Sequence, residues 1–176
     1  MNRESVIYWR DKYDREEDKY NKGEEEELRA NFQKNKHITK EDLIRIVKWK
    51  FQGRLEGRQK RILKFLNTVD DEFIIDLSRL AFKAKDDNKR VQLLCTIDGV
   101  GTAVASTILA FYNPENYGVF DIHVWRELFG KEPNSLFTDT KNVFRFFERL
   151  REIALKTELT CRDIEKALFK KNLDEG

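Results

Sequence analysis

The sequence predicts an all-α fold. Only 8 glycines and 2 prolines interrupt 176 residues, so few positions break a helix. Apolar residues recur mainly at the three- and four-residue spacings of a helical face, and no stretch alternates as a strand would. From the N-terminus, residues 1–36 are densely charged in both signs, with an acidic run Glu24–Glu27 and a sparse apolar stripe of Val6, Trp9 and Tyr13. A solvated helix docked by that stripe is expected there. Thr39 with Asp42, and Thr160 with Asp163, suit helix starts near 40 and 161, where a hydroxyl caps orphan amides. Further helices are expected near 57–68, 87–96, 102–112 and 121–129. Phe73, Ile74, Leu77, Leu80 and Ala81 follow the pattern of a buried helical face. So do Val143, Phe146, Phe147, Leu150, Ile153 and Ala154, which predict the longest amphipathic helix after position 138.

A chain of this length fits one domain, or two small lobes, and buries a core without covalent staples. Lys+Arg 34 against Asp+Glu 32 is close to balance, so total charge identifies no partner. Its distribution is more informative. Arg45, Lys48, Lys50, Arg54, Arg58, Lys60, Arg61 and Lys64 face only Glu56 within residues 45–64. Such a local excess attracts a polyanion; a solvated helical face is the alternative reading. Lys141, Arg145, Arg149 and Arg151 are candidates to extend it. Cys95 and Cys161 form neither a CxxC pair nor a ligand cluster, which argues against an iron–sulfur centre or structural zinc. With no apolar signal core and no apolar run of membrane-spanning length, a soluble, cytoplasmic protein without a membrane partner is expected.

The segment from Leu94 to Leu109 carries the sharpest signal. A helix ends near Ile97, the chain turns through Gly99-Val100-Gly101, and a second helix begins at once. Gly99 takes positive φ without steric cost, and Gly101 leaves room for another backbone to approach. Ala103, Ala105 and Ser106 keep the second helix thin. Unpaired amides at its N-terminus, backed by the helix dipole, make an anion site suited to phosphate. The plain alternative is an ordinary helix–helix turn.

Ile97-Asp98-Gly99-Val100-Gly101, followed by Val119-Phe120-Asp121-Ile122-His123-Val124-Trp125, resembles the signature of the helix-hairpin-helix DNA glycosylase superfamily, whose members include endonuclease III-like, adenine-mismatch and 8-oxoguanine glycosylases. The similarity covers about residues 90–130, and extends more loosely over 40–90 through Phe51-Gln52-Gly53-Arg54. It implies a two-lobed helical fold. Residues 1–38 would be a charged helical segment packing with C-terminal helices 131–176. Residues 39–92 would form a central lobe, and 93–130 the hairpin and aspartate segment. The implied partner is double-stranded DNA bearing a lesion or mismatch, bound by a nucleoid-associated monomer.

Asp121 matches the family's catalytic aspartate. The resemblance implies that it stabilises positive charge on the deoxyribose as the glycosidic bond breaks, or activates water. Asp121 also suits a helix N-cap, and the two roles are compatible. Gly99, Val100, Gly101 and Thr102 would hold the DNA backbone, with Lys48, Lys50, Arg54, His123 and Arg126 as further contacts. Gln52 would fill the gap left by an extruded base. Trp49 and Phe51 are the candidate base pocket, although Phe111, Tyr112, Tyr117 and Trp125 lie nearby and most aromatics at helical spacing are core. The resemblance also implies a monovalent cation, K+ or Na+, held by the carbonyls of Cys95, Ile97 and Val100, and no other cofactor.

Two departures matter. Strand-cleaving members carry a lysine where this chain has Ala103, so no Schiff base forms from that site. A monofunctional glycosylase is therefore expected, unless Lys48 or Lys50 reaches the sugar. Asp98 stands where the hairpin proline is usual, an acidic group beside a phosphate site. Together they keep a rival reading open, a non-catalytic DNA-binding module.

Overall fold

The computed structural model describes residues 1–17, 19–52 and 56–176, the side chains of residues 19, 20 and 56 excepted. Ten helices and no strand occur among the described residues. They are α1 (Arg3–Glu16), α2 (Lys19–Asn35), α3 (Lys40–Lys50), α4 (Glu56–Leu66), α5 (Asp71–Lys83), α6 (Asp87–Cys95), α7 (Thr102–Tyr112), α8 (Ile122–Phe129), α9 (Thr140–Thr157) and α10 (Cys161–Glu175). None is long and apolar enough to cross a membrane.

Local chemistry sets most helix starts. Asn2, Asp70, Asp86 and Asp139 each accept from an amide of the first turn of α1, α5, α6 and α9. Thr39 with Asp42 and Thr160 with Asp163 form full capping boxes at α3 and α10, satisfying amides reciprocally as their spacing predicts.

The core is organised around α7. Residues 102–111 carry no charge, and every one of them is buried. Helices α2, α3, α6 and α9 all pack on α7. Ser106 and Thr107 are tolerated inside because their hydroxyls donate to the Ala103 carbonyl at 2.8 and 2.9 Å. Around this centre, α5 packs on α6, α3 on α4, and α10 on α1, α8 and α9. At 18 residues α9 is the longest helix among the described residues, with Val143, Phe146, Phe147 and Leu150 fully buried; Ile153 and Ala154 are only partly so.

Two expectations need correction. The charged N-terminal segment forms two helices rather than one solvated helix. Val6 is buried and Trp9 packs against the core, so α1 does dock by its stripe. However, α2 also buries Leu28 and Phe32, and its acidic run is not simply solvated. Glu25 is buried against Arg162 of α10, with bonds of 2.9 and 2.7 Å. Glu24 pairs with Arg45 at 2.5 Å. The cations that neutralise these carboxylates lie far along the chain, outside any local pattern.

The second correction concerns α5, whose buried face is Ile74, Ser78, Ala81 and Phe82. Phe73 and Leu80 are 45% and 54% exposed. The face turns because Ser78 is satisfied where it is buried. It accepts from Ile38 N at 3.0 Å and donates to Ile75 O at 3.0 Å, which removes the usual cost of burying a hydroxyl.

Candidate active site

The hairpin forms as the glycines require. Gly99 has φ of +90°, and a Cβ there would lie 3.3 Å from Phe65 Cβ and 3.4 Å from Ile62. Gly101 is the extended N-cap of α7, offers no side-chain cap, and has open space where a Cβ would sit. Thr102 turns its hydroxyl inward, donating to Phe137 O at 2.8 Å. Val100 is buried, so Gly99-Val100-Gly101 offers backbone outward, next to the exposed Asp98 side chain. The Ile97 carbonyl already accepts from Val100 N at 2.9 Å. Those of Cys95 and Val100 accept no hydrogen bond among the described residues, so two of the three implied cation ligands are open.

A cavity of about 310 Å³ opens beside the turn, lined by Gly99, Gly101, Ala103, Phe51, Arg58 and Arg61 among others. The Arg58 guanidinium lies over the Phe51 and Phe137 rings, 5.4 and 5.7 Å from their centroids. Burial and the neighbouring Arg61 charge lower its pKa. An anion in this cavity would relieve both.

The Asp121 side chain faces a different cavity. It is the N-cap of α8, with Oδ1 accepting from His123 N at 2.9 Å. Among the described residues its second oxygen has no hydrogen-bond partner. The cavity has a volume of about 390 Å³, and Trp49, Lys50 and Gln52 line it together with Asp121. The end of α3 and the two residues after it thus form the ridge between the two cavities: Phe51 faces the hairpin, its neighbours on either side face Asp121.

Four of the sequence-predicted residues therefore meet in one cavity. Trp49 packs edge-on against Phe111 with centroids 4.9 Å apart, and its buried indole Nε1 has no partner. Lys50 is partly exposed, and its Nζ donates to Phe120 O at 3.3 Å, beside Asp121. Burial favours its neutral amine and lowers its pKa, the Asp121 carboxylate acting in the opposite sense. Gln52 donates to Asn21 Oδ1 at 2.5 Å.

The remaining predicted residues are placed elsewhere. Lys48 is exposed and lines neither cavity. His123 Nδ1 lies 2.9 Å from Asn172 Oδ1, and its ring packs edge-on against Phe169. Arg126 makes two bonds to Glu132, at 2.9 and 2.6 Å. Arg54 falls outside the described residues. The predicted basic surface also contracts. Arg45 is neutralised by Glu24 and Glu27, Arg149 by Glu152, and Arg151 by Asp87. Arg145 covers the Trp125 and Phe129 rings.

Sequence reasoning missed the cavity's other wall, which comes from the two ends of the chain. Tyr13 and Glu17 contribute from one end, Arg162, Glu165, Phe169 and Lys170 from the other. Arg162 is buried between Glu25 and Glu165, and Glu165 also accepts from Val119 N at 3.3 Å. Burial opposes charge on Arg162, but the two carboxylates hold its pKa well above the usual range. Glu17 accepts from Tyr13 Oη at 3.1 Å through Oε1, leaving Oε2 buried and unpartnered. Burial, with the Glu25 charge, raises its pKa. No short motif marks these positions, because the cavity wall they share is assembled from segments distant in sequence.

Comparison of the chain with family models, curated proteins and solved structures returns no match.

Proposed function

We propose that the chain is a DNA N-glycosylase that excises a damaged or mismatched base. The observation that carries this reading is the shared cavity: Asp121, with one oxygen unbonded, faces the same space as Trp49, Lys50 and Gln52. A volume of about 390 Å³ lies in the range of small-molecule sites. Its wall offers what an extruded base needs. Trp49 and Glu17 both line the cavity, with the unpartnered Trp49 Nε1 and Glu17 Oε2 buried behind its surface. As the base departs, the sugar acquires oxocarbenium character, and the Asp121 carboxylate stabilises that charge in a partly desolvated space. Gln52, beside this cavity, enters the space the base vacates.

Backbone binding belongs to the neighbouring cavity. A phosphate there meets the uncapped N-terminus of α7, the Arg58 and Arg61 guanidinium groups and the backbone of Gly99 and Gly101. A monovalent cation on the open Cys95 and Val100 carbonyls would add positive charge to that site. On this reading α3–α6 form one lobe, α1 and α8–α10 the other, and duplex DNA lies across the cleft between them as the partner of a monomer.

The test is single-turnover incubation with duplexes carrying 8-oxoguanine, uracil, hypoxanthine, alkylated purines, or G·T and A·8-oxoguanine mismatches, with and without alkali. Base loss that disappears in Asp121→Asn identifies the substrate and supports the reading. A second reading, a DNA-binding module without base chemistry, is favoured by one observation: the hairpin glycines and Asp121 line separate cavities. Salt-sensitive DNA binding with no excision from any duplex would establish it instead.

A further inference from the structure

Arg45, Arg126, Arg151 and Arg162 each meet a carboxylate. The two arginines that line the hairpin cavity do not. Arg58 is partly buried, and its guanidinium rests on the Phe51 and Phe137 rings. Neither Arg58 nor Arg61 makes an ion pair or a hydrogen bond among the described residues. Stacking on a ring leaves the in-plane N–H groups of a guanidinium unused, and donors taken out of water without an acceptor cost free energy. No described carboxylate lines this cavity; Asp98, the acid of the turn, is exposed and outside its wall. The rest of the wall is largely apolar: Phe51, Ile62, Ala103 and Val104 are buried, and Phe65 is 49% exposed. A volume of about 310 Å³ is more than a bare ion fills and lies at the low end of ligand-sized sites.

We propose that this cavity holds the phosphate monoester at the end of a DNA strand, together with its terminal nucleotide, so that the chain binds nicked duplex in preference to intact duplex. The inference rests on the reading of this cavity as a DNA phosphate site and narrows what it accepts; it does not depend on base excision. A phosphodiester inside a strand carries a single negative charge. A monoester carries about −1.5 to −2 at pH 7 and has one more terminal oxygen. Two guanidinium forks with no acid between them match the monoester better. A strand that continues in both directions passes over the cavity and leaves its apolar wall empty. A strand end stops inside it: the phosphate meets Arg58 and Arg61, and the sugar and base pack on Phe65.

The experiment follows the full chain by fluorescence anisotropy with labelled duplexes of one sequence, either intact or nicked, the nick carrying a 5′-phosphate, a 3′-phosphate or hydroxyls alone. One of the phosphorylated nicks should bind about tenfold tighter than the hydroxyl nick at neutral pH. That preference should shrink as pH falls through about 6, where the monoester takes up its second proton. It should be lost in Arg58→Gln and in Arg61→Gln, the second at an exposed position where no packed side chain is removed, and kept in Lys48→Gln, outside both cavities. A preference that survives both arginine variants places the phosphate elsewhere and overturns the proposal. A deoxynucleoside monophosphate, added alone, separates a free nucleotide from a strand end. If it binds while the duplexes show no preference, the cavity belongs to the nucleotide and the proposal fails. Equal affinity for every nick, with salt-sensitive binding of intact duplex, also overturns it but leaves backbone binding standing. Failure to bind any duplex overturns both.

Discussion

On the proposed reading Asp121 has two separable tasks. As N-cap of α8 it holds the His123 amide, and as a cavity carboxylate it carries charge. Asparagine caps as well as aspartate does but cannot stabilise a cationic sugar. Asp121→Asn should therefore melt within about 0.5 kcal/mol of wild type and lose about 10²–10³-fold in excision rate. Thermal melts and single-turnover kinetics on one preparation check the pair of outcomes. Arg162 is the opposite case, a charge whose removal is structural. Arg162→Met strands the buried Glu25 and Glu165 and should cost about 3–5 kcal/mol, measured by urea unfolding. The first residue is legible in the sequence because its cap and its place after a Gly-Val-Gly turn are local signals. The second is not, because Glu25 and Arg162 are 137 residues apart.

At the scale of elements, legibility follows the same division. The capping boxes at α3 and α10 and the hairpin depend on side chains within a few residues, so spacing alone places them. In α5 the segment Phe73–Phe82 supports two offset apolar faces, and spacing does not choose between them. The choice is made by Ser78, whose hydroxyl serves the Ile38 amide and so counts as a core group. Ile74→Ala should accordingly cost about 2–5 kcal/mol. Leu80→Lys, at a position the apolar pattern assigns to the core, should stay within about 0.5 kcal/mol of wild type. Equal destabilisation by both would restore the face drawn from spacing. The site divides in this way too: Trp49, Lys50, Gln52 and Asp121 stand near recognisable turns, whereas Tyr13, Glu17 and Glu165 are placed only by helix packing.

Across the whole molecule, Asp87 ties separate elements together. Its carboxylate takes two bonds from Arg151 of α9, at 2.6 and 3.1 Å, and one from Tyr117 Oη at 2.6 Å. Burial opposes its ionisation, but these bonds hold its pKa below the usual aspartate value. A depressed folded-state pKa contributes stability that is complete above the unfolded value and is lost as pH falls through the folded one. Asp87→Asn should therefore melt lower than wild type at neutral pH, and the gap should close from about pH 4 downward. A gap unchanged between pH 7 and pH 3 would remove Asp87 from this role. The helical class was evident from composition, yet the mutual packing of α1 and α10 had no local signature.

That packing also sets an order of assembly. The hairpin and the cavity beside it use residues 51–104, all of them ahead of Asp121 in the chain. The Asp121 cavity needs Tyr13 and Phe169 together, and contacts of such long sequence separation are slow to form. On the proposed reading, a nascent chain that has emerged only through α9 already holds the residues that line the phosphate-binding cavity. It lacks one wall of the chamber in which a base would be cut. On that reading the residues that hold the DNA are synthesised before α10 completes the cavity in which the base is cut.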